Sequence, residues 1–108
     1  MRTWAVLGSG SSGNSYLFSD GSSAILIDQG YSVASLKRRL AHFSTTVEAV
    51  EAVFVTHLHP DHVRGVGTLA RMHHVPAWIH TKTMDSQPQA VTNLNIPAGL
   101  LHTADRFE

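Results

Sequence analysis

Short apolar runs alternate along the chain with polar, glycine-rich breaks. Thr3–Leu7 (TWAVL) reads as a strand and Tyr16–Ser19 (YLFS) as a second. Between them Gly8–Ser15 (GSGSSGNS) predicts a turn, and Asp20–Ser23 (DGSS) predicts the next one. Ala24–Asp28 (AILID) is a continuous apolar run closed by a carboxylate, as expected of a buried strand. Gly30 then breaks the chain, and Ser32 is suited to cap a helix. Val33, Leu36, Leu40 and Phe43 recur at spacings of three and four, the apolar stripe of that helix. Lys37, Arg38 and Arg39 are expected largely on its solvated side.

Ser44–Glu51 predicts a connecting turn or short helix, and Ala52–Thr56 (AVFVT) a second buried-type strand. A helix is expected from Asp61 to about His74. Val63, Val66, Leu69, Ala70 and His73 or His74 trace its inner side, and Pro76 stops it. Ala77–His80 (AWIH) reads as a strand and Thr81–Gln87 as a short helix or turn. Ile96–Glu108 holds two weak strand-like pieces, the last being ADRFE. Strands alternating with helices imply an α/β layer with parallel strands.

Composition narrows the class. With 108 residues, 43% of them apolar, the chain can bury one modest core and does not have the make-up of a disordered segment. Basic and acidic residues number 8 each, so bulk charge gives no support to nucleic-acid or membrane binding. A phosphate bound at a local site stays open. The absence of cysteine excludes disulfides, thiolate zinc sites and cysteine nucleophiles. No run approaches the roughly 18 apolar residues of a membrane span. The first residues lack the apolar core of a signal peptide. A cytoplasmic protein without membrane association is the expectation. The 8 histidines are the outlying number, and without cysteine they and the carboxylates are the natural metal ligands.

Four of these groups crowd into Thr56–Gly65 (THLHPDHVRG): His57, His59, Asp61 and His62. If the chain stays extended after the preceding strand, the His57 and His59 rings project to one side. Asp61 and His62 fall where the next helix begins. A carboxylate there offsets the positive helix end while serving as a hard oxygen ligand. Loops at the carboxyl ends of strands are where α/β proteins place their sites. Imidazole with carboxylate suits zinc, manganese or iron. Asp61 alone also fits a plain helix cap. His42, His73, His74, His80 and His102 stand apart and are expected in structural or surface roles.

THLHPDH resembles the His-x-His-x-Asp-His signature of the metallo-β-lactamase fold superfamily, and ILIDQG resembles that fold's strand ending in aspartate. With LGSGSSGNSYLF and VTHLHPDHVRGV, the pattern is similar to the YycJ/WalJ-type branch of metal-dependent DNA exonucleases. The resemblance runs from about Ala5 to Thr83. It implies the N-terminal half of an αββα sandwich, a mixed sheet with flanking helices, classed α/β or α+β. It implies two divalent ions, zinc or manganese, one on His57 and His59 and the other on Asp61 and His62. Asp61 would also orient the attacking water or accept its proton, and Asp28 would hydrogen-bond into the metal loop. Ser11, Ser12, Gly13 and Asn14 would rim the site and approach a phosphate, or serve only as a turn.

The family completes its site with a later histidine for each metal, a bridging aspartate and a second α/β layer. No motif resembling these follows His62. Residues 1–108 are therefore expected to be a partial domain. Its uncovered sheet face, expected to include Ile25, Ile27, Phe54 and Val55, would promote self-association. The implied activity is phosphodiester hydrolysis in nucleic acid or a small phosphodiester. Other superfamily substrates (RNA, a cyclic phosphodiester, a thioester) and a truncated, non-enzymatic metal-binding piece are the alternatives.

Overall fold

A computed structural model describes residues 2–105. Its strands form one six-stranded sheet in the order β1-β2-β3-β4-β5-β6. They are β1 (Thr3–Gly8), β2 (Ser15–Ser19), β3 (Ala24–Ile27), β4 (Val50–Val55), β5 (Ala77–His80) and β6 (Leu101–Ala104). The first three are antiparallel, joined by the two glycine turns, and β3 through β6 are parallel. The sheet is therefore mixed. The alternation of strands and helices accounts only for its second half, because two-strand hairpins leave no helix between them.

The helices are α1 (Val33–Ala41), α2 (Pro60–Val63), α3 (Val66–His73), α4 (Thr81–Ser86) and α5 (Pro88–Asn93). Ser32 caps α1 by accepting from Ser35 N–H, as its sequence position suggested. Val33, Leu36 and Leu40 are buried on one side of it. Phe43 lies beyond the helix end and is 39% exposed. Arg39 does not join the solvated face. Its guanidinium stacks 3.8 Å from the Tyr31 ring centroid and donates to Leu7 O at 2.8 Å.

The helix expected from Asp61 to His74 is two helices. They separate at Arg64–Gly65, where backbone passes so close that a Cβ on Gly65 would meet Tyr31 O at 1.8 Å. β4 begins at Val50, two residues early, and α5 had no apolar signal strong enough to announce it. In the tail, β6 ends at Ala104 and Asp105 bends away; the rest of the ADRFE strand lies outside the described residues.

One side of the sheet carries the core from β2 to β5. Leu17, Leu26, Val53 and Ala77 are neighbours across β2 to β5 and join α1 and α3 in a single core. The opposite side carries a row spanning all six strands: Val6, Tyr16, Ile27, Phe54, Trp78 and His102. Trp78 stacks on Phe54 at 6.3 Å and on His102 at 4.6 Å, and beside the row Trp4 is 67% exposed. Ile25, Ile27 and Phe54 lie on this face as expected, but Val55 does not. Strand alternation turns it into the core, where it is 1% exposed. Among the described residues no helix is long and apolar enough to cross a membrane.

Candidate metal centre

The carboxyl ends of β3 and β4 lie side by side and deliver their following loops to one place. Asp28 leaves β3 with φ 61°, a left-handed conformation that aspartate tolerates better than bulkier residues. Its backbone N–H donates to Phe54 O at 2.8 Å, which keeps it beside β4. This turns a 1%-exposed carboxylate toward Thr56. One oxygen accepts from Thr56 N–H at 2.7 Å, and the other accepts from the Thr56 hydroxyl and from His62 Nδ1–H, the latter at 2.7 Å.

That network fixes two histidines. The Thr56 hydroxyl gives its only proton to Asp28, so it can only accept from His57 Nδ1–H, 3.0 Å away. His57 and His62 both then donate through Nδ1 and leave Nε2 outside the network, the nitrogen through which they could ligate. Their ring centroids are 4.9 Å apart. His62 Nε2 lies 3.8 Å from Asp61 Oδ2, and the His59 ring centroid is 6.4 Å from that of His57. Asp28, His57 and His62 each place a donor atom within 4.8 Å of the others, but both Asp28 oxygens are already committed to hydrogen bonds. The donors left open are imidazole nitrogens of His57, His59 and His62 and one oxygen of Asp61, whose Oδ2 is engaged by Asn14; His59 and Asp61 lie outside the Asp28–His57–His62 cluster. This is a set that fits a divalent ion of borderline or hard character.

Asp61 is not the helix cap. His59 holds that position and Pro60 the first helical one, so Asp61 lies inside the first turn with its carboxylate directed at Asn14. Asn14 donates through Nδ2 to Asp61 Oδ2 at 3.0 Å, and its backbone N–H donates to Asp61 O at 2.7 Å. The four expected rim residues do not share one setting. Ser11 and Ser12 are exposed at the tip of the glycine turn, whereas Gly13 and Asn14 are buried beneath it.

Three segments are stitched at this point. Gln29 N–H donates to His62 O at 2.8 Å, Gly65 N–H to Gln29 O at 3.0 Å, and Gly30 N–H to Asn14 O at 3.0 Å. The Tyr31 hydroxyl donates to Gly13 O at 2.8 Å and holds the glycine turn down. Thr56, Gln29 and Tyr31 are the contributors that the sequence did not single out. Gln29 follows Asp28 with no helix in reach and is completely buried, and a polar residue flanking a strand-end aspartate was the only available signal. Two of the isolated histidines stand at helix ends. His80 accepts from Lys82 N–H at the start of α4, and His74 ends α3 with φ 57°.

Residues 8–100 match the family described as the metallo-beta-lactamase superfamily. Over 80 residues the chain is 36% identical to exodeoxyribonuclease WalJ of Streptococcus pneumoniae, covering 74% of this chain and 30% of that protein. Over 91 residues it is 30% identical to exodeoxyribonuclease YycJ of Bacillus anthracis, covering 84% and 34%. The chain thus spans about a third of the length of these curated relatives. The FEZ-1 metallo-beta-lactamase from Legionella gormanii superposes with a TM-score of 0.64 at 17% identity, over 76% of this chain and 32% of that one, a likeness of fold.

Proposed function

The chain belongs to the metallo-beta-lactamase superfamily, whose members are metal-dependent hydrolases, and on that premise we propose that it forms part of a nuclease active site. The reaction is hydrolysis of phosphodiester bonds in nucleic acid, in a cytoplasmic setting. The observation that carries the metal chemistry is the Asp28–Thr56 network, which leaves the Nε2 atoms of His57 and His62 open beside Asp61. The substrate class comes from similarity to two exodeoxyribonucleases. His57 and His59 would hold one zinc or manganese ion, and Asp61 and His62 a second. Such ions lower the pKa of bound water and neutralise charge on a scissile phosphate.

The chain's own residues do the positioning. Asp28 keeps His62 oriented directly and His57 through Thr56. Asn14 occupies Asp61 Oδ2, which leaves Oδ1 to orient a water or take its proton. Ser11 and Ser12, exposed in the turn that Asn14 ties to Asp61, would rim the site and meet a phosphate.

A second reading applies to the 108 residues alone, and the half-buried row from Val6 to His102 with exposed Trp4 beside it favours it. A catalytic zinc normally has three protein ligands, and this loop offers two for each ion. An apolar sheet face without a second layer also promotes association. The isolated chain is therefore expected to show little phosphodiesterase activity and to self-associate. The test is turnover of double-stranded DNA and of a generic phosphodiester with zinc and with manganese, beside a light-scattering mass. Robust metal-dependent turnover by a monomer would overturn the partial-site reading. No turnover even when the chain is extended to its relatives' length would overturn the nuclease itself.

A further inference from the structure

A cleft of about 550 Å³ lies between the α2–α3 segment and α5, and one end of it is the metal loop itself, through Leu58 and Pro60. Arg64 and Arg71 both line it, with Thr68 between them. Arg64 stands at the end of α2, and Thr68 and Arg71 lie one turn apart on α3, so the cleft lining continues across the helix break away from Asp61. Among the described residues no carboxylate lines the cleft, and neither arginine pairs with one.

Both guanidinium groups are anchored by backbone carbonyls instead. Arg64 Nη1 donates to Ser12 O at 3.3 Å and to Gly30 O at 3.5 Å. Arg71 Nη1 donates to Leu94 O at 3.1 Å and Asn95 O at 2.8 Å, and its Nη2 to Thr68 Oγ1 at 3.3 Å. A carbonyl positions a guanidinium without cancelling its charge. Arg64 therefore keeps Nε and Nη2 donors, and Arg71 its Nε, for an outside acceptor. In a chain of zero net charge this is a local concentration of uncompensated positive charge beside the candidate metal centre.

We propose that this cleft is a binding site for the phosphate backbone of a single nucleic-acid strand, with Arg64 and Arg71 contacting successive phosphates beyond the bond at the metal loop. The inference rests on the nuclease reading. It adds where the strand runs. The contacts are to phosphate and carry no base preference.

The test measures binding of a fluorescent single-stranded oligonucleotide to the protein in EDTA, across a range of salt. Arg64→Gln and Arg71→Gln should each weaken binding several-fold. Each should also flatten the dependence of log K on log salt by about 0.7, the slope per phosphate contact on a single strand. Arg71 also ties α3 to the end of α5, so Arg71→Lys keeps charge if not every bond, and it should retain most of the salt slope. Lys37→Gln, on the exposed side of α1, should bind as the unsubstituted protein does. No oligonucleotide binding at low salt, or arginine variants that match Lys37→Gln in slope, would overturn the proposal. Cleavage is measured separately with metal. Arginine-dependent binding without cleavage, even when the chain is extended to its relatives' length, would sink the nuclease reading and leave the cleft as a nucleic-acid site.

Discussion

His62 has its Nδ1 held 2.7 Å from a carboxylate that is 1% exposed, whereas the ring of His59, three positions earlier, makes no hydrogen bond among the described residues. The two belong to the same loop. The difference lies in what passes behind them. Behind Asp61 and His62 run the Asp28–Tyr31 loop and the glycine turn, bound to them by Gln29 and Asn14. No such crossing bond reaches the His59 ring among the described residues; its own carbonyl receives the first turn of α2. One half of the candidate site is built into the fold and the other half hangs from it. His57 is intermediate, oriented at second hand through Thr56.

Damage to the held half should therefore cost stability as well as metal. The largest effect is expected for Asp28→Ala. It strands the Thr56 N–H, the Thr56 hydroxyl and His62 Nδ1–H, all of which now share one buried carboxylate. Losing hydrogen bonds to a charged group and leaving their partners unmatched should cost about 3 kcal/mol. Zinc affinity should fall about 10–100-fold. Urea unfolding and a zinc titration check the two together; an unchanged zinc affinity would reduce Asp28 to a turn residue.

Gly30→Ala should come next. A Cβ there would meet Asp61 O at 1.8 Å and Asn14 N at 2.9 Å, both backbone atoms that cannot rotate away. The three stitched segments would have to separate, at about 2 kcal/mol. Asn14→Ala should cost less, about 1 kcal/mol, because the Asn14 N–H bond to Asp61 O survives and only the side-chain bonds to Gly10 and Asp61 are lost. Thermal unfolding ranks the two; Asn14→Ala as severe as Gly30→Ala would mean the side chain, not the backbone crossing, holds Asp61.

Much of this half was legible in the sequence. Asp28 at the end of an apolar strand and four ligand-type residues in six positions pointed to one another because parallel strands bring their carboxyl ends together. What escaped were groups whose role depends on a partner distant in sequence. Thr56 reads as the last β-branched residue of a strand, yet it relays Asp28 to His57 across 28 positions. Asn14 reads as one more turn residue in GSGSSGNS, and only the folded chain places it on Asp61. The helix break at Gly65 was hidden for the same reason. Val63 and Val66 keep helical spacing on both sides, and the interruption comes from Tyr31 and Gln29 packing against the glycine.

His59→Ala should show the smallest effect on stability and so gives the sharpest test of the contrast. The ring is exposed, bonded to nothing in the scaffold, and its backbone carbonyl will go on accepting from His62 N–H and Val63 N–H whatever the side chain. Surface changes of that kind lie within about 0.5 kcal/mol. Metal should tell the opposite story. If His57 and His59 share an ion, removing one of only two protein ligands should abolish that ion's uptake while the Asp61–His62 pair still binds. Zinc stoichiometry on the unsubstituted and His59→Ala proteins, with thermal unfolding alongside, separates the two halves. A marked loss of stability without metal would show that His59 is part of the scaffold. Unchanged stoichiometry would remove it from the ligand set.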